Sequence, residues 1–259
     1  MGNSWILRIG PMLVVSLLMW SGLRVVVKAE SSGPPSATVH ESFAAAPNVR
    51  IVLENVSGPI VITPSSNEMV DISAVKRAAN DEALASITVK IDKDGNPASE
   101  VSIRTRYDHN GHGGSVDYTL SVPRRATLKI SNVAGNIVAN GFANDVSAND
   151  ISGSVSVENI DGNLRVRTVN GGITASVTRV GSRIVSLHSV SGTVRLTIPR
   201  DSGAVVKAQS MSGGFQSDFP LKSKSEFIGT RVDGQIGNGA GRIELETVNG
   251  MLELKAFGR

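Results

Sequence analysis

Leu128-Lys129-Ile130-Ser131-Asn132-Val133-Ala134-Gly135-Asn136 begins a nine-residue unit that is written again as Ile137–Asn144, Val146–Gly153, Val155–Gly162 and Leu164–Gly171. The anchors Val133, Phe142, Ile151, Ile160 and Val169 are equally spaced. Two residues after each comes Gly135, Asn144, Gly153, Gly162 or Gly171. Apolar residues stand three and five positions before each anchor, so the unit reads Φ-x-Φ-x-x-Φ-x-G-x. A repeat of fixed period is the signature of stacked architecture. Spacing of two within the unit is strand alternation, which predicts that every Φ, anchors included, lies on one buried face. Nine is odd, so uninterrupted alternation would turn each new unit over. The paired x positions before the anchor are expected to absorb that slip, and Gly, Asn, Asp and Ser to form the corners.

The template persists at Val180, Val190, Met211 and Val248, and upstream at Val56 with Gly58 after it. This predicts one all-β domain over residues 48–259. It is a parallel β-solenoid of nine- to eleven-residue strand–turn units, with residues 124–259 as the repeat region and 48–123 a more irregular β-rich part. In the latter, Met69–Lys76 reads as a strand and Asn80–Ala85 as a short capped helix. Ile87–Ile91 and Glu100–Tyr107 read as a hairpin around Asp94-Gly95-Asn96-Pro97.

Residues 1–29 read as a signal peptide. Arg8 is followed by an apolar run from Met12 through Val27, and Val27-Lys28-Ala29 supplies a cleavage site after Ala29. No stable membrane span is expected to remain, and residues 30–47 read as a linker, disordered over Ser31–Ala37. Arg8, Arg24 and Lys28 are the only charges before Glu30. Removing them from 26 basic residues leaves as many as the 23 acidic ones. A neutral mature chain argues against a general affinity for nucleic acid. The absence of cysteine excludes disulfides and thiolate metal sites. Both tryptophans fall in the leader, which counts against an aromatic binding platform.

The order of three motifs resembles the putative adhesin family of exported bacterial β-solenoid proteins, a domain of unknown function. The first is the strand Val116–Val122 ending at Pro123. The second is the run of Val-x-Gly and Ile-x-Gly turns from Val133 to Gly192. The third is Gly234–Gly239 followed by Ile243–Gly250. The likeness covers Val49 to Leu254. It implies a parallel β-solenoid in a periplasmic, outer-surface or secreted location, and it brings no catalytic residues.

Chemistry-bearing residues are sparse. The carboxylates Asp145, Asp150, Glu158 and Asp161 sit near corners and read as solvated turn acids. There is neither a G-x-S-x-G nor an H-E-x-x-H pattern. Asp108, His109 and His112 are the only metal-like cluster, in a glycine-rich loop, and the expectation is no metal and no cofactor. Gly162 to Arg200 holds no acidic residue but contains Arg165, Arg167, Arg179, Arg183, Arg195 and Arg200. Stacked coils would align them into a basic stripe for an anionic glycan, a lipid headgroup or an envelope protein. The expected function is a non-enzymatic adhesin-like binding or scaffold protein. Its alternatives are a carbohydrate-active β-helix enzyme acting on an anionic polysaccharide and a purely structural envelope component.

Overall fold

The computed structural model describes residues 23–29, 33–108, 113–225 and 229–258. The fold is nearly all-β and mixed. The single helix among the described residues, α1 (Asp81–Ala85), is capped by Asn80, whose side chain accepts from the Ala83 amide at 2.8 Å. The strands form two faces joined through one long strand. β1 (Leu23–Ala29) pairs antiparallel with the first half of β2 (Ser36–Glu54), and the second half of β2 crosses to the other face. Thus residues read as linker are strand from Ser36 on. Val39, Phe43 and Ala45 are buried in alternation, which supplies the apolar burial that a disordered segment lacks. Of the leader read over residues 1–29, residues 23–29 form β1 and residues 1–22 lie outside the described residues.

Next come β3 (Ile60–Ser65), β4 (Met69–Ala78), β5 (Ile87–Asp94), β6 (Ala98–Tyr107) and β7 (Gly114–Pro123). β4 runs antiparallel between β2 and β7, and β5 and β6 form the predicted hairpin. The repeat region follows as β8 (Thr127–Ser131), β9 (Ile137–Asn140), β10 (Val146–Asn149), β11 (Val155–Ile160), β12 (Leu164–Asn170), β13 (Ile173–Val177), β14 (Ile184–Ser191) and β15 (Val194–Pro199). Last are β16 (Ala204–Ser212), β17 (Phe215–Ser217), β18 (Ser223–Ser225), β19 (Thr230–Ile236), β20 (Gly241–Asn249) and β21 (Leu252–Phe257).

In the repeat region the chain alternates between two parallel ladders. One runs β2–β8–β10–β12–β14–β20–β16 and the other β7–β3–β9–β11–β13–β15–β21–β17. Two nine-residue units make one turn, so Leu128, Val146 and Leu164 stand in register, followed by Val185. The last rung, β20–β21, does not stack at the end. It inserts between β14–β15 and β16–β17. The expected parallel solenoid is corrected at its C-terminal end, where β16–β19–β18 pair antiparallel, while the irregular N-terminal part adds antiparallel β4 and the predicted β5–β6 hairpin. Short turns such as Asp94–Pro97 reverse the chain, whereas parallel neighbours need a crossover.

The core is one aliphatic cluster from Ala37 to Leu254. The residues three and five before each anchor are buried as predicted, among them Ile130, Ile137, Ala148 and Val166. The anchors themselves divide into two kinds. Phe142, Ile160 and Val180 are buried, but Val133, Ile151, Val169, Val190 and Met211 are 40–50 % exposed. The odd-numbered slip is absorbed at only one corner. At the other, alternation continues, and the residue before the anchor takes the inward slot. That residue is polar in every turn: Asn55, Asn132, Asp150, Thr168, Ser189, Thr247 and Ser210, all at most 4 % exposed.

The tight glycine corner explains the polarity. Gly135 has φ +129°, and a Cβ there would lie 2.4 Å from the Gly58 carbonyl oxygen. At Gly171 the corresponding clash is with the Gly153 carbonyl oxygen. Backbones this close leave corner carbonyls facing inward, and buried carbonyls need donors. The Asn132 side chain donates to the Gly135 carbonyl at 2.9 Å. Ser189 donates to that of Gly171 at 3.0 Å, and Ser210 to that of Gly250 at 3.0 Å.

Candidate anionic-ligand face

The five arginines of the expected stripe do not share one surface. Arg165 and Arg167 alternate with buried Leu164 and Val166 on β12, so both project from the outer face of the first ladder and are exposed. Arg195 projects from β15 in the other ladder, where Glu253 of β21 engages it at 2.8 and 3.3 Å. Arg179 and Arg183 lie in the loop between β13 and β14. Arg179 grips the Asp161 carboxylate with two bonds of 2.6 and 2.9 Å. Arg183 adds an ion pair at 3.0 Å and donates to the Asp161 carbonyl at 2.8 Å. The Arg179 hydrogen bonds, with the charge of both guanidiniums, hold the Asp161 carboxyl below its ordinary range. Glu253 is lowered in the same way by Arg195. These three arginines are therefore neutralised, and only Arg165 and Arg167 remain free of ion pairs among the described residues.

The tertiary structure gives that pair two companions the sequence reading missed. Lys129 is in register with Ser147, and Ser147 with Arg165, so Lys129 and Arg165 stand two strands apart in one outward row. Arg50 on β2 lies beside Thr127 of β8. A groove of about 310 Å³ is lined by Arg50, Lys129, Arg165, Asp145, Asn163 and Ile184. Lys129 makes no ion pair among the described residues, and Arg50 reaches Glu100 only at 3.9 Å. The groove therefore presents cations at spacings set by the strand separation, with one carboxylate among them. The only sequence signal for this was the outward position of Lys129 in its own repeat, where it looks like any solvated lysine.

The corner acids separate. Asp145 accepts from the Asn163 amide at 2.9 Å, Glu158 from Ser156 at 2.8 Å, and Asp161 belongs to its arginines. Asp150 is no solvated turn acid but is 4 % exposed. His109 and His112 lie outside the described residues. Asp108 donates its backbone N–H to the Ser86 carbonyl at 3.1 Å. No group of three or more His, Cys, Asp or Glu side chains able to hold a metal occurs among the described residues.

His188, isolated in sequence, is not isolated in space. Its Nε2 lies 2.9 Å from Ser186 Oγ, and its Nδ1 2.8 Å from Glu246 Oε2. These are the distances of a nucleophile–base–acid chain, but the surroundings do not supply the rest of such a site. Ser186 is 4 % exposed. β14 is hydrogen-bonded along both edges, so its amides are committed to the ladders and do not converge on a developing oxyanion. The chain instead ties β14 to β20 beside a small cleft shared with Lys207, Gln209 and Arg231.

The remaining outward feature is apolar. Val56, Val133, Ile151, Val169, Val190 and Met211, with half-buried Val248, follow the bridges Ser57–Ala134–Ser152–Asn170 and the pairs Asn170–Ser191, Ser191–Asn249 and Ser212–Asn249. They form one ridge of β-branched and Met side chains along the glycine corner.

With this geometry in hand, comparison with known proteins gives the following. The family model Toastrack DUF4097 matches residues 149–255. No curated protein matches the chain. A crystal structure described as a putative cell adhesion protein from Clostridium sporogenes superposes with a TM-score of 0.52. It is 14 % identical, over 84 % of this chain and 99 % of that one. A second, described as a putative adhesin from Bacteroides fragilis, gives a TM-score of 0.44 at 14 % identity, over 86 % of this chain and 98 % of that one. The family resemblance carried by the turn motifs is thus met by a family model over residues 149–255. The first structure establishes likeness of fold across nearly its whole length.

Proposed function

We propose that this chain is an exported, adhesin-like parallel β-solenoid that binds an anionic polymer through the outer face of its first ladder and catalyses no reaction. The observation that carries the reading is the pair of unpaired cations Lys129 and Arg165 lining one groove, with Arg167 further along the same outward face of a parallel ladder. Guanidiniums fixed at strand spacing suit sulfate, phosphate or carboxylate groups repeated along a chain. The names of the fold relatives support a surface role. The apolar leader supports export, and among the described residues no helix is long and apolar enough to cross a membrane. The test is retention of the mature chain on a heparin column eluted with salt. Wild type is expected to be retained, and the Arg165→Ser/Arg167→Ser double variant to elute at clearly lower salt while keeping its melting temperature. Equal elution of the two proteins, or no retention of either, rejects the reading.

A further inference from the structure

The polar ladder inside the glycine corner has one member that does not fit as an ordinary acid. Five of its seven slots hold a side chain that donates to a corner carbonyl. Ser189, Ser210 and Thr247 donate to glycine carbonyls at 3.0, 3.0 and 3.2 Å, and Asn55 and Asn132 donate through their amides. An ionised carboxylate has only acceptors. In three consecutive rungs, Asn132 Oδ1, both carboxyl oxygens of Asp150 and Thr168 Oγ1 are buried with no hydrogen-bond partner. All three residues are 4 % exposed. A carboxylate whose two oxygens are both buried without a donor is strongly disfavoured in its charged form.

We propose that Asp150 is carried protonated in the folded protein in mildly acidic solution. Its carboxyl O–H then supplies a donor in the slot between Asn132 and Thr168, where the ionised group would offer none. The proton thereby becomes a structural component of the corner. Loss of it opens the ladder at the rung that also carries Asn149 and adjoins Arg167. Above and below, β8 and β12 present Asn132 and Thr168 to Asp150, and its own turn presents Ala148 and Val155, so no charged group faces it from within. The nearest cation in the adjacent rung, Arg167, points to the outer face. Burial accordingly pushes the Asp150 carboxyl up to about 6, with only the Ile151 amide acting the other way. An isolated charge in such a site is held neutral rather than paired.

The folded-state value lies above the ordinary 3.8, so below that pH both states hold the proton and the ladder contributes fully. As pH rises from there to about 6, the unfolded chain releases its proton first and stability falls. Above about 6 the loss is complete. The direct test is an NMR titration of the Asp150 side-chain carboxyl carbon, assigned through the Asp150 and Ile151 amides of the wild-type protein. A midpoint near 6 is expected, and a midpoint at or below the ordinary aspartate value overturns the proposal. In melting experiments Asp150→Asn, which keeps a donor, should gain on wild type progressively between about pH 4 and about pH 6 and hold its advantage above that. Asp150→Thr, the residue type of the next rung, should behave likewise. Parallel pH profiles for wild type and both variants would equally overturn it.

Discussion

Ile151 and Ile160 hold equivalent positions in successive nine-residue units, yet Ile151 is 47 % exposed and Ile160 is fully buried. The two corners of each turn are therefore different structures. One folds its anchor into the core, and the other folds in a polar residue and turns its anchor out.

This distinction predicts opposite outcomes for one substitution. Ile160→Asp places an unpaired carboxylate among aliphatic side chains and should abolish folding at ambient temperature. Ile160→Ala should cost about 2–5 kcal/mol. Ile151→Asp should change stability by less than about 1 kcal/mol, since an exposed site away from special features tolerates change. Chemical denaturation of the three variants checks the assignment, and comparable losses for both aspartates would refute it.

The glycine corner should be intolerant of even one methyl group. Gly135→Ala meets both a left-handed φ and the Gly58 carbonyl oxygen at 2.4 Å. The φ strain alone costs about 1–3 kcal/mol, and moving a backbone held in two ladders adds to it. Gly113→Ala, whose Cβ would meet nothing within 4 Å, carries only the φ strain. Thermal unfolding should rank Gly135→Ala well below Gly113→Ala.

The polar ladder ends in a network that can be broken cleanly. Thr105 Oγ1 bonds Asn55 Oδ1 at 2.9 Å and the Tyr118 hydroxyl at 2.8 Å. Burial pushes the Tyr118 hydroxyl up to about 12. Thr105→Val keeps the shape but strands both partners, and should cost about 1–3 kcal/mol. Thr105→Ser should retain most of the stability. A loss of equal size in the two variants would mean that packing, not the hydroxyl, matters there.

Asp161 supplies a pH dependence opposite to that of Asp150. Its carboxyl is lowered, so the stability it contributes is present above the ordinary carboxylate value and is lost as pH falls through the folded value. Asp161→Asn should be less stable than wild type at neutral pH, and the difference should shrink in acid and in high salt. Melting curves at pH 7 and pH 3, each at low and high salt, check this.

The charge pattern separates a groove from a stripe. If binding uses the face of the first ladder, Lys129→Ser should lower the eluting salt as Arg165→Ser does. Arg195→Ser, whose guanidinium is occupied by Glu253, should leave it unchanged. Retention that depends on Arg195 but not on Lys129 would assign binding to the other face.

The sequence by itself determined the β class, the nine-residue period, the buried pairs three and five before each anchor, and the β5–β6 hairpin. Each follows from local alternation and turn chemistry. It also marked Arg165 and Arg167 as outward. Only the tertiary structure decided that two units make one turn. With that came the division of the anchors into buried and exposed sets, because parity across a corner depends on which backbone carbonyls the next rung brings against it. Pairing through space likewise decided that Arg179 and Arg183 belong to Asp161 and Arg195 to Glu253. It inserted β20–β21 between earlier rungs and set Lys129 in one outward row with Arg165. Alternation is a property of neighbouring residues and is written along the chain. Neutralisation and insertion depend on which distant strand arrives alongside, and no local pattern encodes that.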